Sequence, residues 1–153
     1  MPERWLGLTV GSDKVTLVVA SVPDQGAIEI VHDLTWQLQK GDRPTAYDVM
    51  HGRVLDYVRE NEIARAVIKA SAVSLAGTKK THLQAAELRG VVMSALAKST
   101  SVQCETKAHI SKNFGDRKAD EYLKDSEFWA AQVTGDLRVG SREAAFLILA
   151  ARP

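Results

Sequence analysis

The chain has 153 residues, of which 45% are hydrophobic and 25% are charged, and this composition predicts one globular domain over residues 1–153. Its 20 Lys and Arg against 19 Asp and Glu leave a formal net charge of +1, which excludes a histone-like protein that binds nucleic acid through overall charge. The single cysteine, Cys104, excludes a disulfide framework and a cysteine-rich zinc module.

The hydropathy pattern also argues against a membrane protein. The longest uninterrupted apolar segment, residues 144–151, is far shorter than the ~20 residues that cross a bilayer. The first ten residues, MPERWLGLTV, lack the apolar core of a signal peptide. We therefore expect a cytoplasmic protein, no membrane partner and a reduced Cys104 thiol.

The first 39 residues have the pattern of three antiparallel strands joined by tight turns. Two apolar segments, residues 5–10 and 14–22, flank Gly11-Ser12-Asp13, which is a turn signal. Residues 28–38 then alternate apolar and polar side chains, which predicts a half-buried strand. We expect this third strand to be the edge of the sheet. Its apolar end around Trp36 would either pair with another chain or lie under a helix of the same chain.

The remaining sequence alternates helical and strand patterns. The predicted elements are a helix from about 47 to 61, a strand at 65–70, a helix at 81–98, a strand at 102–106 that buries Cys104, a polar loop at 111–118, a helix at 119–133 and a last helix at 142–151 with Ser141 as its N-cap. This order predicts an α/β fold with a five-stranded mixed sheet. An antiparallel meander of three strands is extended by two parallel strands, and helices cover both faces.

Three segments of the chain resemble the RNase H-like superfamily, most closely the RuvC-type Holliday-junction resolvases. Residues 6–12, LGLTVGS, resemble that family's first strand and glycine turn. Residues 105–107 with 115–120 resemble its lysine-bearing strand exit and its loop before a helix. Residues 141–147, SREAAFL, resemble the start of its final helix. The resemblance covers almost the whole chain as a pattern of elements.

The resemblance implies metal-assisted phosphodiester hydrolysis, in which carboxylates at the sheet centre hold two divalent cations. The family's four acidic positions correspond here to Thr9, Lys69, Glu143 and Phe146. Only Glu143 keeps a carboxylate, and Lys69 brings a positive charge to a position where a cation would be held. We therefore expect a non-catalytic module that needs no cofactor and binds nucleic acid, DNA or RNA, or a protein partner.

Positive charge is unevenly distributed and indicates where nucleic acid would bind. Residues 76–118 contain eight Lys and Arg but only three Asp and Glu. Four of these side chains, Lys107, Lys112, Arg117 and Lys118, surround the loop through which the resemblance implies contact with DNA. They are the predicted nucleic-acid-binding residues.

Two alternatives remain open at this point. In the first, the chain is a metal-dependent nuclease whose Mg²⁺ or Mn²⁺ ligands include Glu143 and a shifted set of acids drawn from Asp13, Asp116 and Asp120. In the second, it is a structural or assembly protein that forms a homo-oligomer through the edge of the third strand. The four histidines lack the spacing of a zinc site, and no serine lies in a Gly-x-Ser-x-Gly turn.

Overall fold

A computed structural model describes residues 2–73 and 77–153, and these form a six-stranded sheet with helices on both faces. The strands are β1 (Glu3–Val10), β2 (Lys14–Val22), β3 (Ile28–Gln37), β4 (Ile63–Lys69), β5 (Ser101–Glu105) and β6 (Val133–Thr134). The helices are α1 (Arg43–Glu60), α2 (Lys80–Ala97), α3 (Lys107–Asn113), α4 (Ala119–Lys124), α5 (Ser126–Gln132) and α6 (Arg142–Ala151). None of the helices in the described part of the chain has the length and apolarity needed to span a membrane.

The strand order is β5-β4-β1-β2-β3-β6, and β1 lies in the middle of the sheet. β1–β2 and β2–β3 pair antiparallel, whereas β1–β4 and β4–β5 pair parallel. The predicted mixed α/β sheet is therefore confirmed. A sixth, two-residue strand is added where Val133 and Thr134 pair with Ile28 and Glu29.

The sheet separates two apolar layers. On one face, α1 and α2 bury residues such as Val54 and Val92 against Leu6 and Leu8 of β1. On the other face, α6 packs beside the short helices α3, α4 and α5, with Phe146 and Trp129 in the same buried cluster. The apolar segment 144–151 thus contributes to the buried core, because α6 is covered on nearly all sides.

A glycine in β1 sets the position of α6. A Cβ built on Gly7 would collide with the backbone carbonyl of Ala144 and would lie 3.2 Å from Cγ1 of Ile148. Any larger residue at this position would push the helix away from the sheet. This close approach places the first turn of α6, with Glu143, above the carboxyl ends of the central strands.

Strand β3 departs from the predicted alternation at one residue. Val19 pairs with His32, but its neighbour Ala20 pairs with Ile30, so Val31 is an extra residue in a β-bulge. Apolar side chains before the bulge pack against the α6 cluster, and those after it pack against α1 and α2. The prediction of one uninterrupted alternation over residues 28–38, with the apolar side chains on a single face, is therefore wrong.

Trp36, at the apolar end of β3, lies under a helix of the same chain. The Trp36 side chain is only 7% exposed, because α1 lies over it. The guanidinium of Arg53 is 4.1 Å from the indole centroid, and the ring of Tyr57 meets it edge-on at 5.1 Å. Of the two expectations for this end of the strand, pairing with another chain or burial under a helix of the same chain, the structure agrees with the helix.

The structure corrects four local predictions in the last third of the chain. Residues 107–113 form a helix whose last three residues lie in the predicted loop 111–118, and Thr106 caps it by accepting a hydrogen bond from the backbone of His109. The predicted helix 119–133 is two helices. Asp125 accepts hydrogen bonds from two backbone amides of α5 and caps the start of this second helix. Ser141 does not cap α6 with its side chain but donates to Asp33. Cys104 is exposed, because β5 is an edge strand.

Candidate functional site

The carboxyl ends of three parallel strands meet at one edge of the sheet, beneath the start of α6. β1 and β4 are in register up to the pair Leu8–Ile68, so the next residues, Thr9 and Lys69, lie side by side near the ends of the two strands. On the other side of β4, Lys69 pairs with Glu105 of β5. Side chains paired in this way project from the same face of a sheet. These three residues therefore form a row that faces α6.

An ion pair joins this row to the last helix. Nζ of Lys69 lies 2.9 Å from Oε1 of Glu143, and both side chains are 29% exposed. Nζ of Lys107, the first residue of α3, lies 3.6 Å from the other carboxylate oxygen, Oε2. Glu143 is thus held by one ammonium group on each oxygen. The structure brings two of the four positions implied by the resemblance, Lys69 and Glu143, into direct contact.

The side chains at this edge do not fit a pair of divalent cations. Such cations need several anionic oxygen ligands, whereas Thr9 and Phe146 are neutral and Glu143 already neutralises lysines. Over residues 2–73 and 77–153, no group of three or more His, Cys, Asp or Glu side chains is arranged to hold a metal ion. Asp13 and Asp116 are exposed in turns, and Asp120 is paired with Lys107. The acids of the shifted set are thus not gathered around Glu143 as a metal centre.

Phe146 occupies its position as part of an aromatic cluster. Its ring centroid lies 4.8 Å from that of Phe114 and 5.4 Å from that of Tyr122, and Phe128 and Trp129 also belong to the group. This cluster attaches α3, α4 and α5 to α6, directly beside Glu143. Phe146 is only 2% exposed, so its role in the structure is to bury apolar area.

The four predicted nucleic-acid-binding residues fall into two groups. Lys112 and Lys118 are exposed on α3 and before α4, and neither belongs to an ion pair within the described residues. Lys107 is instead bound to Asp120 at 2.5 Å and to Glu143. Arg117 is 3.0 Å from Asp125, and this hydrogen bond raises the pKa of the guanidinium.

The excess of positive charge in residues 76–118 is balanced by acids that follow directly in the sequence. Residues 107–127 contain five Lys and Arg and five Asp and Glu. The fold brings several of these charges together, as the pairs of Lys107 and Arg117 show. Only a part of the predicted basic surface is therefore available to a polyanion.

Two arginines that the sequence analysis did not single out hold the end of β1. Nη2 of Arg89 donates to the backbone carbonyl of Val10 at 3.0 Å, and Nη1 donates to Oγ of Ser71. Nη2 of Arg43 donates to the carbonyl of Ser12 at 2.7 Å. Burial lowers the pKa of Arg89. No sequence signal marks these residues, because their partners are backbone carbonyls and hydroxyl groups rather than acidic side chains.

A second group of charged side chains, at the carboxyl end of β5, includes a histidine. Nδ1 of His109 lies 2.5 Å from Oε2 of Glu105, and Gln103 donates to the other oxygen of the same carboxylate at 2.6 Å. Glu105 is therefore bound on both oxygens, like Glu143. Each acid at this edge of the sheet has a partner on α3 or on a neighbouring strand.

Comparison with known proteins gives matches in structure but not in sequence. No family model and no curated protein matches the chain. Thermus thermophilus RuvC superposes with a TM-score of 0.74 at 13% identity, and its complex with a Holliday junction substrate superposes with 0.73 at 11%. Both matches cover 97% of this chain and 92% of the other.

A mitochondrial enzyme gives the same result. The yeast mitochondrial Holliday junction resolvase superposes with a TM-score of 0.66 at 8% identity, over 97% of this chain and 77% of its own. Identities this low establish the architecture alone. The chain has the RNase H-like, RuvC-type fold.

Proposed function

We propose that this chain is a RuvC-like module that binds nucleic acid without hydrolysing it. The observation that carries the proposal is the ion-pair network at the sheet edge, where Lys69 and Lys107 bind the two oxygens of Glu143. Catalysis by two metal ions requires a concentration of negative charge. Here Lys69 and Lys107 bind Glu143, and Lys107 also binds Asp120, so these carboxylates are already neutralised by ammonium groups.

Binding of nucleic acid is supported by the fold and by the exposed lysines. One structural neighbour is bound to a Holliday junction, and this chain matches it over 97% of its length. On this chain, Lys112 and Lys118 project from the α3–α4 segment into solvent. Exposed ammonium groups bind phosphates by releasing counterions, so the affinity of such a surface falls with salt.

The first experiment compares two matched charge-reversal variants in gel-shift assays. Lys112→Glu/Lys118→Glu changes the α3–α4 segment, and Arg59→Glu/Lys98→Glu changes two exposed residues near the opposite end of the sheet, at the ends of α1 and α2. Duplex, single-stranded, hybrid and four-way-junction substrates are tested at low salt, in EDTA and then in Mn²⁺. We expect shifted, uncut substrate with the wild type and the control. The first variant should lose affinity, and its logarithmic salt slope should fall by about 2.

Two results would contradict this function. Cleavage that requires Mn²⁺ and disappears in Glu143→Ala would show a working nuclease. No shift with any substrate would exclude nucleic-acid binding and leave a protein partner as the ligand. Equal losses in both variants would reject the α3–α4 surface while retaining binding.

A further inference from the structure

Lys107 has two acidic partners that differ in their surroundings. Glu143 is 29% exposed and also binds Lys69, so this contact belongs to the interior network. Asp120, in the first turn of α4, is 65% exposed and lies 2.5 Å from Nζ of Lys107, whose own side chain is 41% exposed. The outer pair is therefore reached by solvent from both sides.

Positively charged groups surround the Asp120 carboxylate. Lys107 is its direct partner, and the charges of Lys124 and Lys69 also act on it. Together these ammonium groups lower the pKa of Asp120, with the hydrogen bond from Lys107 as the largest cause. In turn, Asp120 raises the pKa of Lys107. Lys107 is thus in direct contact with this exposed anion, and the charges of Lys69 and Lys124 add to its effect.

We propose that the Asp120 carboxylate competes with a phosphate of the nucleic-acid backbone for the ammonium group of Lys107. A phosphodiester carries one negative charge on two oxygens, as a carboxylate does, and both accept charge-assisted hydrogen bonds from an ammonium group. An ion pair between exposed side chains is weak enough for a phosphate to displace Asp120, but the displacement uses part of the free energy of binding. Lys107 then keeps Glu143 on its inner side while a phosphate occupies its outer side.

This inference rests on the proposed function and specifies its site. It predicts that the free protein is partly inhibited by its own carboxylate. Removing that carboxylate should therefore strengthen binding more than removing an unpaired negative charge from the same surface does.

The test compares Asp120→Asn with Asp116→Asn by fluorescence anisotropy, using the labelled nucleic acid that the wild type shifts. Both substitutions remove one negative charge from the same surface segment, but Asp116 belongs to no ion pair in the part of the chain that the structure describes. We expect Asp120→Asn to raise affinity roughly five- to tenfold at about 50 mM salt, and Asp116→Asn to raise it by less than about twofold. The salt slope of Asp120→Asn should be steeper by about 1.

The double variant Lys107→Met/Asp120→Asn identifies the residue through which Asp120 acts. If the two compete as proposed, the gain from Asp120→Asn disappears when Lys107 is absent. Equal affinities for Asp120→Asn and Asp116→Asn, or a gain that persists without Lys107, would overturn the inference and leave the proposed function intact. Absence of binding in every variant would overturn both. Melting temperatures of all variants show that each is folded.

Discussion

At the scale of single residues, Gly7 is a position at which the fold has no room for a larger side chain. Its missing side chain lets the backbone of Ala144 rest directly on β1. Gly7→Ala should lower the free energy of unfolding by about 1–3 kcal/mol, because the added methyl group meets backbone atoms that cannot turn aside. Urea denaturation measures this loss.

Gly90 provides the matched control for that substitution. It lies inside α2, and a Cβ added there meets nothing within 4 Å. Gly90→Ala should therefore stabilise the protein by about 0.5–1 kcal/mol through helix propensity and reduced freedom of the unfolded chain. A Gly7→Ala variant as stable as the wild type would mean that α6 does not lie against β1 as described.

At the scale of elements, one carboxylate joins β3 to the turn that leads into α6. Asp33 accepts hydrogen bonds from the backbone amide and the guanidinium of Arg138, each at 2.8 Å, and from the hydroxyl of Ser141 at 2.5 Å. Burial by itself would raise the pKa of Asp33, but these hydrogen bonds outweigh it and hold the pKa below the ordinary value of 3.8. The ionised form is therefore the one that stabilises the fold.

The sign of the pH dependence follows from that direction. Because the folded pKa lies below the unfolded one, the stabilisation is complete above about pH 3.8 and is lost as the pH falls through the folded pKa. Asp33→Asn should cost about 2 kcal/mol at pH 7, a fall in melting temperature of roughly 4–8 °C. The difference from wild type should shrink below pH 3.8. Asp24→Asn, in an exposed turn, should show neither effect, and a pH-independent loss for Asp33→Asn would contradict the assignment.

At the scale of the whole molecule, ammonium groups stabilise the sheet edge where the resemblance implies cations. We expect the melting temperature of the wild type to be the same in EDTA, Mg²⁺ and Mn²⁺, within about 1 °C. Thr9→Asp/Lys69→Glu places two new carboxylates beside Glu143 and should create a metal response. A cation at ten times its Kd would contribute about 1.4 kcal/mol, or roughly 3–6 °C.

Lys69→Met is the control for that experiment, since it removes the ammonium group without adding a ligand. It should respond to metal no more than the wild type does. A wild-type protein that Mn²⁺ stabilises by several degrees would mean that its own acids bind the metal, in favour of the nuclease alternative.

Most of the strands and the three longest helices follow from local sequence, whereas the candidate site was predicted through the resemblance. Strand alternation, turn residues such as Gly11 and the apolar segment of α6 are read over a few residues, so the sheet and its topology were predictable from them. The parallel arrangement of β1 and β4 places Thr9 beside Lys69. The resemblance implies that these two residues belong to one site.

Only the tertiary structure decided how the charges pair and which side chains are exposed. Lys107 meets Glu143 across 36 residues of sequence and Lys69 meets it across 74, distances over which no local pattern carries information. The same is true of the bulge at Val31, set by register against β2, and of the exposure of Cys104, set by the position of β5 at the sheet edge. Local sequence determines conformation, whereas pairing between distant segments depends on packing that forms only when the whole chain folds.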